Sequence, residues 1–243
     1  MTRFECQIVD VTPLKGDVFR VQLQVLTDTP CPYQAGQYLQ LLLPSGEQPA
    51  FSLASTPAAW PALELHVRRT TDNGLSAKVV EVLQQGGKIA VSLAAGDAVW
   101  QAPAAEAPIL MLAASTGFAQ VKSLVEQALA EGWQGPLYVY WGVRVAEDLY
   151  WPELAQQWVS THANVHFIPV VSEGAGEAWQ GRTGLLHEAV LADKHDLTQA
   201  QVWVSGSPGM VYATLDAFML QGLHKQQMHS DVFAYAPRDE VPA

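Results

Sequence analysis

Cysteine, basic residues and long apolar runs are all scarce in this chain, and each shortage excludes a class of function. Two cysteines, Cys6 and Cys31, occur among 243 residues. A chain of this size buries enough surface to fold without a disulfide framework. Plant-type iron–sulfur clusters take four cysteine thiolates, so the chain carries no such cluster of its own. Lysine and arginine number 13 against 24 aspartates and glutamates, a net charge of −11. That balance argues against a nucleic-acid partner, whose affinity rests on phosphate neutralisation. It also leaves no polybasic patch for a membrane surface. Anionic ligands are repelled at long range, so any phosphate has to be held by local donors. No run of about 18 uncharged apolar residues could span a bilayer. Met1-Thr2-Arg3-Phe4-Glu5-Cys6 lacks a positive region followed by an apolar stretch, so no secretory signal is expected and the expected setting is cytoplasmic. His162 and His166 flank Asn164, where a helix is expected to give way to a strand, so no metal site is expected. No Ser-His-Asp set, paired-carboxylate motif or lysine nucleophile stands out.

Apolar residues make up 49% of the chain and fall in segments separated by Gly and Pro, the pattern of a globular protein of two modest domains or one large one. Up to about Trp100 the period is two. Phe19, Val21, Leu23 and Val25 share one face, opposite Arg20, Gln22 and Gln24, which predicts half-buried strands. Strands are predicted over Phe4–Val11, Val18–Val25, Tyr38–Leu43, Phe51–Ala54, Leu63–Val67 and Ile89–Leu93, with a hairpin turn at Gly16-Asp17. Six short antiparallel strands suit a small barrel that removes exposed edges. One helix is predicted inside this set, over Leu75–Leu83 after an Asn73-Gly74 turn.

Beyond the Pro/Ala-rich stretch Ala102–Pro108 the pattern changes. Ile109–Ala113 is continuously apolar, as in a strand buried on both faces of a parallel sheet. Further strands are predicted over Leu137–Trp141, Val165–Val171 and Val202–Val204. Helices are predicted over Phe118–Glu131, Leu149–Trp158 and Leu185–Leu191, and after Pro208 with Val211, Leu215, Phe218 and Met219 on one face. Alternating strands and helices predict an open parallel α/β sheet. The expected organisation is a β-barrel domain over residues 1–103 and an α/β domain over 104–243, with a frayed tail from Pro237 to Ala243.

Several segments carry chemistry, in a set order. Ala35-Gly36-Gln37-Tyr38-Leu39 precedes Gln48-Pro49-Ala50-Phe51-Ser52-Leu53-Ala54-Ser55 in the barrel half. Ala114-Ser115-Thr116-Gly117 then leads from a strand into a helix, where backbone amides can meet a pyrophosphate. Tyr140-Trp141-Gly142-Val143-Arg144 with Asp148-Leu149-Tyr150 follows the next strand, and Ser205-Gly206-Ser207-Pro208-Gly209-Met210 follows the last. Taken in this order, from about Phe4 to Tyr235, the segments resemble the ferredoxin-NADP reductase family, most nearly its NAD(P)H-flavin reductase branch. Gly181-Arg182-Thr183-Gly184 also occurs in related flavin reductases; Thr183 there is read as the cap of the following helix.

The resemblance implies a fold and a site. The barrel binds flavin, with Tyr38 on its binding face and the ring of Phe51 laid on the isoalloxazine. The Ser52 hydroxyl lies near N5 as the catalytic group, and the backbone of Leu53, Ala54 and Ser55 reaches the ring carbonyls. Gly74 and Ser76 approximate the family's phosphate segment, one residue shorter; a helix-capping serine is the equal alternative. A Rossmann-like sheet binds NADH or NADPH at Ser115, Thr116 and Gly117, where Ala114 and Ser115 occupy places the family gives to glycine. Arg144 and Asp148 fall near the adenosine half, and Asp148 also suits a helix cap. Ser205, in the place of a cysteine, faces the nicotinamide, within a turn that includes Gly206, Pro208 and Met210. Ser230–Tyr235 resembles the C-terminal strand whose aromatic, Phe233 or Tyr235, covers the ring.

The departure from the family is Pro49, which stands where an arginine neutralises the flavin phosphate. Arg68 and Arg69 are the candidates to replace it, and solvated edge charges are the alternative. A site that grips the ring and not the phosphate implies a dissociable flavin: riboflavin, FMN or FAD reduced as a substrate and handed to an enzyme that consumes reduced flavin. The other readings are an electron-transfer subunit with a retained flavin and a protein partner, and a nucleotide-binding module without turnover.

Overall fold

A computed structural model of the chain describes residues 1–70, 74–103, 107–174, 176 and 178–238. The predicted Asn73 turn, residues 104–106 of the expected inter-domain stretch and the tail from 239 onward lie outside the described residues.

The first half is the expected antiparallel barrel. Its strands are β1 (Thr2–Pro13), β2 (Val18–Val25), β3 (Tyr38–Leu42), β4 (Ala50–Ser52), β5 (Ala62–Arg68) and β6 (Lys88–Ala95), in the order β4-β3-β6-β1-β2-β5. Gly16 and Asp17 both take positive φ, +63° and +56°, the left-handed pair that matches a hairpin turn to the twist of its strands. The barrel nearly closes because the chain leaving β4 meets β5, where the Ala54 amide donates to the Glu64 carbonyl at 2.8 Å. Helix α1 (Leu75–Gln84) plugs the barrel with Val79, Val80 and Leu83, while Leu75 stays exposed.

In the second half β7 (Ile109–Ala114), α2 (Phe118–Ala130), β8 (Leu137–Val143), α3 (Pro152–Thr161), β9 (Val165–Val171), β10 (Arg182–Thr183), α4 (Leu186–Ala192), β11 (Gln201–Ser205), α5 (Pro208–Met219) and β12 (Met228–His229) follow in turn. The strands form one parallel sheet in the order β10-β9-β8-β7-β11-β12. The apolar run of β7 divides by pleat: Ile109, Met111 and Ala113 enter one core, Leu110 and Leu112 the other. Strand order reverses between β7 and β11, so the crevice at their carboxyl ends is the expected ligand position. No helix of the described residues is long and apolar enough to cross a membrane.

Several local expectations are corrected. Helix α3 begins at Pro152, not Leu149, so Asp148 ends a 3-10 turn (Ala146–Asp148) and is not its cap. Helix α4 is capped at Leu185, whose amide donates to Glu188 Oε2 at 3.0 Å; Thr183 lies exposed in β10. Met219 faces solvent on α5. Residues 230–235 are not a strand. Asp231 Oδ1 accepts the amides of Asp97 and Ala98, pinning the chain beside the end of β6, and Val232–Tyr235 turns into a short helix, α6. The expected frayed tail is anchored at Arg238: its guanidinium pairs with Asp216 and lies 4.6 Å from the Tyr212 ring centroid.

The two halves meet along the barrel-facing side of α2, whose Gln120, Lys122 and Ser123 are buried although polar. Ser123 Oγ donates to the Ser55 carbonyl at 2.9 Å, Gln120 Nε2 to that of Gly36 at 2.5 Å, and Lys122 Nζ to that of Ala54 at 3.1 Å. Lys122 also faces Glu64 at 3.3 Å, and Glu64 takes Arg20 at 2.6 Å and His66 Nε2 at 3.1 Å. Neutral imidazole satisfies His66 fully, because its Nδ1 accepts from the Tyr150 hydroxyl at 2.9 Å.

Burial by itself would raise the Glu64 carboxyl; the His66 hydrogen bond and the charges of Lys122 and Arg20 outweigh it and hold the group at about 2. Burial lowers His66, with Glu64 opposing. Both groups therefore favour the folded state at neutral pH. The His66 contribution is lost as pH falls below 6.5, and that of Glu64 as pH falls from 4.5 toward 2. Thermal unfolding followed against pH should show both losses, and Glu64→Gln should flatten the lower one. Lys122→Met, which leaves Glu64 short of a buried partner, should cost about 3 kcal/mol in urea denaturation at pH 7; a loss below about 1 kcal/mol would remove the pair from the seam's stability.

Candidate active site

The crevice at the switch point is shaped by small residues that packing requires. A Cβ on Gly117 would lie 2.3 Å from the Ser205 carbonyl oxygen, so the turn after β7 sits directly on the end of β11. A Cβ on Gly206 would lie 2.1 Å from Met210 Cε and 3.0 Å from Ala114 Cβ. Ser115 takes φ +51°, the left-handed conformation that suits glycine. Two contacts hold it there: its carbonyl accepts Trp141 Nε1 at 2.9 Å, and its hydroxyl accepts Arg68 Nη1 at 3.0 Å. Trp141 is fixed in turn by stacking on Phe118, with centroids 3.8 Å apart and planes at 3°.

Two cavities meet here. A cleft of about 870 Å³ lies between barrel and sheet; its lining includes Arg68, Arg69, Ser115, Arg144, Asp148 and Ser207. A slot of about 390 Å³ is lined by Tyr38, Gln40, Gln120, Ser230, Asp231 and Tyr235, among others. Ala50, Phe51, Ser52, Ser205 and Gly206 line both and form the wall they share. Both volumes are of small-ligand size. Ser52 comes from β4 and Ser205 from the end of β11, so barrel and sheet each contribute one hydroxyl to the wall. The Ser52 side chain makes no hydrogen bond to another described residue.

Charge is divided unequally between the cavities. Arginines line the cleft, whereas Asp231 is the one charged residue lining the slot among the described residues. Its carboxylate is engaged by the Asp97 and Ala98 amides and by Gln120 Nε2 at 2.8 Å. Burial pushes Asp231 above the usual carboxylate range, and these donors only partly oppose it.

The structure brings Tyr38, Phe51, Ser52, Ser205, Gly206 and Tyr235 to the slot, and Ser115, Thr116, Gly117, Arg144 and Asp148 to the cleft. Other expected residues stand elsewhere. Leu53, Ala54 and Ser55 are buried, and the Leu53 and Ala54 amides already donate to the Gln37 and Glu64 carbonyls. The expectation that those two amides reach a ring is therefore overturned. Gly74 and Ser76 line neither cavity; Gly74 caps α1 and the Ser76 hydroxyl engages Thr70, so the serine is not the cap. Arg68 faces the cleft and not the slot, and it also donates to Asp148 Oδ1 at 2.6 Å. Pro208 opens α5, and Met210 packs on Gly206. Phe233 packs on Tyr212, which leaves Tyr235, 60% exposed, as the slot's C-terminal aromatic.

Sequence reasoning missed His66 in the cleft and Gln40, Gln120 and Asp231 in the slot. Asp231 lay inside the Ser230–Tyr235 segment; Gln120, on a predicted helix, had no signal of its own.

Residues 111–216 match the oxidoreductase NAD-binding domain family. The chain is 32% identical over 237 residues to an NAD(P)H-flavin reductase of Vibrio harveyi, covering 95% of this chain and 98% of that protein. It is 31% identical to a CDP-6-deoxy-L-threo-D-glycero-4-hexulose-3-dehydrase reductase of Yersinia pestis, covering 95% of this chain and 68% of that protein. Among solved structures, the Amycolatopsis cytochrome P450 reductase GcoB superposes with a TM-score of 0.86 at 27% identity, covering 95% of this chain and 69% of that one.

Two glycine substitutions test the crevice. Gly117→Ala, which drives a methyl into the Ser205 backbone, should destabilise the protein by about 1–3 kcal/mol. Gly209→Ala meets nothing within 4 Å on α5 and should stabilise it by roughly 0.5–1 kcal/mol. Urea unfolding of both variants checks the contrast, and equal effects would contradict the packing described.

Proposed function

The chain belongs to the ferredoxin-NADP reductase-like superfamily, with NAD(P)H-flavin reductases among its relatives, and from that premise we propose that it oxidises NADH or NADPH and reduces a dissociable flavin. The observation that carries this reading is the wall of Phe51, Ser52, Ser205 and Gly206 shared by slot and cleft. The slot residues would hold a flavin ring and the cleft residues a nicotinamide, and the two ligands together would supply the hydride chemistry. The residues position and solvate; none has to act as acid or base. Phe51 and Tyr235 offer aromatic surface to the ring, Ser52 a hydroxyl at its reacting edge, and Gln40 an amide. Ser205 offers a hydroxyl on the nicotinamide side. Residues 1–103 are assigned as the flavin domain and 104–243 as the nucleotide domain, with Arg68 and Arg69 of the first also lining the cleft and Tyr235 of the second also lining the slot.

The donor set fits an uncharged ring better than a phosphate. No cation among the described residues lines the slot, and Pro49 stands where the family's arginine would be. Gly74 and Ser76 are assigned no phosphate role. Arg68, expected as the substitute for that arginine, is assigned instead with Arg69 and Arg144 to the nucleotide cleft, where cations local to the site offset the overall acidity. The proposed setting is cytoplasmic, with a reduced-flavin-consuming enzyme downstream. The longer Yersinia and Amycolatopsis relatives are named as reductases of a dehydrase and of a cytochrome P450, which favours a second reading, electron transfer to a protein partner; the flavin would then be retained.

Oxidation of NADH and NADPH by the purified protein, followed with and without riboflavin, FMN or FAD, separates the readings. Turnover that requires added flavin and saturates with it is the expected result; a protein that purifies yellow and ignores added flavin supports the second. Ser52→Ala should lower kcat at least tenfold with the fold intact, and unchanged turnover would remove it from the site. Pro49→Arg keeps the carbonyl that accepts the Leu41 amide and should lower the KM for FMN relative to riboflavin about tenfold.

A further inference from the structure

Arg68 reaches from the end of β5 across the mouth of the crevice and is held by two groups of the sheet half. Nη1 donates to Ser115 Oγ at 3.0 Å and Nη2 to Asp148 Oδ1 at 2.6 Å. The ion pair is partly withdrawn from water, with side chains 32% and 14% exposed. All three residues line the 870 Å³ cleft. Arg144, in the same cleft, is bound by Glu173, but that pair is open to solvent, with side chains 76% and 57% exposed, and exposed pairs contribute little. Both of these arginines thus already hold carboxylates, and the pair that matters is Arg68–Asp148.

We propose that Asp148 is an internal competitor for the nucleotide site: it holds Arg68 in place of a phosphate, and an arriving nucleotide displaces it. This rests on the assignment of the cleft to a pyridine nucleotide. The guanidinium presents parallel donors that suit a phosphate as well as a carboxylate and a hydroxyl. Exchange leaves Arg68 paired throughout and returns Asp148 to water at the rim. The geometry of Ser115 serves the same end, since its left-handed backbone directs a hydroxyl at Arg68 where glycine would offer none. The exchange makes nucleotide affinity lower than the number of cleft cations implies. It also makes binding undo one of the links between barrel and sheet. Asp148 and Ser115 are positioning residues in this scheme; Arg68 is the group that touches the ligand.

The test is a double-mutant cycle read by calorimetric titration of the flavin-free full chain with NAD⁺ and NADP⁺, and separately with inorganic pyrophosphate. Asp148→Asn, which removes the competitor's charge and keeps its shape, should tighten binding of whichever nucleotide the wild type takes about tenfold. In an Arg68→Gln background the same substitution should change affinity less than about twofold. Equal tightening in both backgrounds would mean that Asp148 acts as a diffuse negative charge, and weakening by Asp148→Asn would make it a direct nucleotide ligand; either overturns the proposal. Should Asp148→Asn fail to fold, Ser115→Gly, which suits the left-handed backbone, repeats the cycle: tightening only when Arg68 is present supports the exchange, and tightening independent of Arg68 overturns it. Pyrophosphate separates this proposal from the functional reading. If it binds, and binds tighter to Asp148→Asn, while no nucleotide binds, the exchange stands and the nucleotide assignment fails. If a nucleotide binds and Asp148→Asn leaves its affinity unchanged, the nucleotide assignment stands and the exchange fails. No binding of any probe to any variant also overturns the exchange.

Discussion

Glu64 is the charge around which the two halves are assembled. A carboxylate so thoroughly removed from water is tolerable only if several donors converge on it, and here they come from both sides of the seam. Arg20 and His66 belong to the barrel, Lys122 to the first helix of the sheet half. His66 extends the set to Tyr150, which follows the second parallel strand. Apolar packing across the seam would tolerate sliding; an ion network with directed hydrogen bonds specifies one register of helix α2 against the barrel.

That register sets the chemistry. Ser52 ends β4, two residues from the Ala54 carbonyl that Lys122 holds, and Ser205 ends β11, against the Gly117 turn from which α2 starts. The same helix therefore fixes the two hydroxyls of the shared wall relative to each other. Hydride transfer tolerates little error in approach, so a seam made rigid far from solvent suits a reaction in which the protein contributes position more than proton transfer. The mouth of the crevice is built on the opposite principle. Its link is a partly exposed ion pair, Arg68–Asp148, of the kind that a competing anion can replace.

Much of the fold is legible in the order of residues. The period of two through β2, the continuous apolar run of β7 and the small-residue turns at strand ends each follow from local rules of pleat, burial and backbone strain. Where local rules mislead, the cause is a side chain captured by a distant partner. Asp148 has the look of a helix cap and is drawn instead to Arg68, 80 positions away. Ser230–Tyr235 has the look of a strand because Phe233 and Tyr235 alternate; Asp231, held by amides near residue 97, turns the chain into a helix. Leu53 and Ala54 keep their place in the motif, but continued pairing with β3 already engages the Leu53 amide and barrel closure that of Ala54.

Apart from the place of Pro49, which is what the family resemblance implies, the sequence by itself determined the order of elements, the adjacent aromatic and serine of Phe51-Ser52 and the absence of cluster cysteines. Each is a property of residue type and neighbourhood, which local physics reads directly. Only the tertiary structure decided that Arg68 lines the cleft and not the slot, that Tyr235 and not Phe233 lines the slot, and that Gln120 and Asp231 belong to its wall. Those outcomes depend on which distant groups come within hydrogen-bonding reach, a matter of packing between halves that no window of the chain contains.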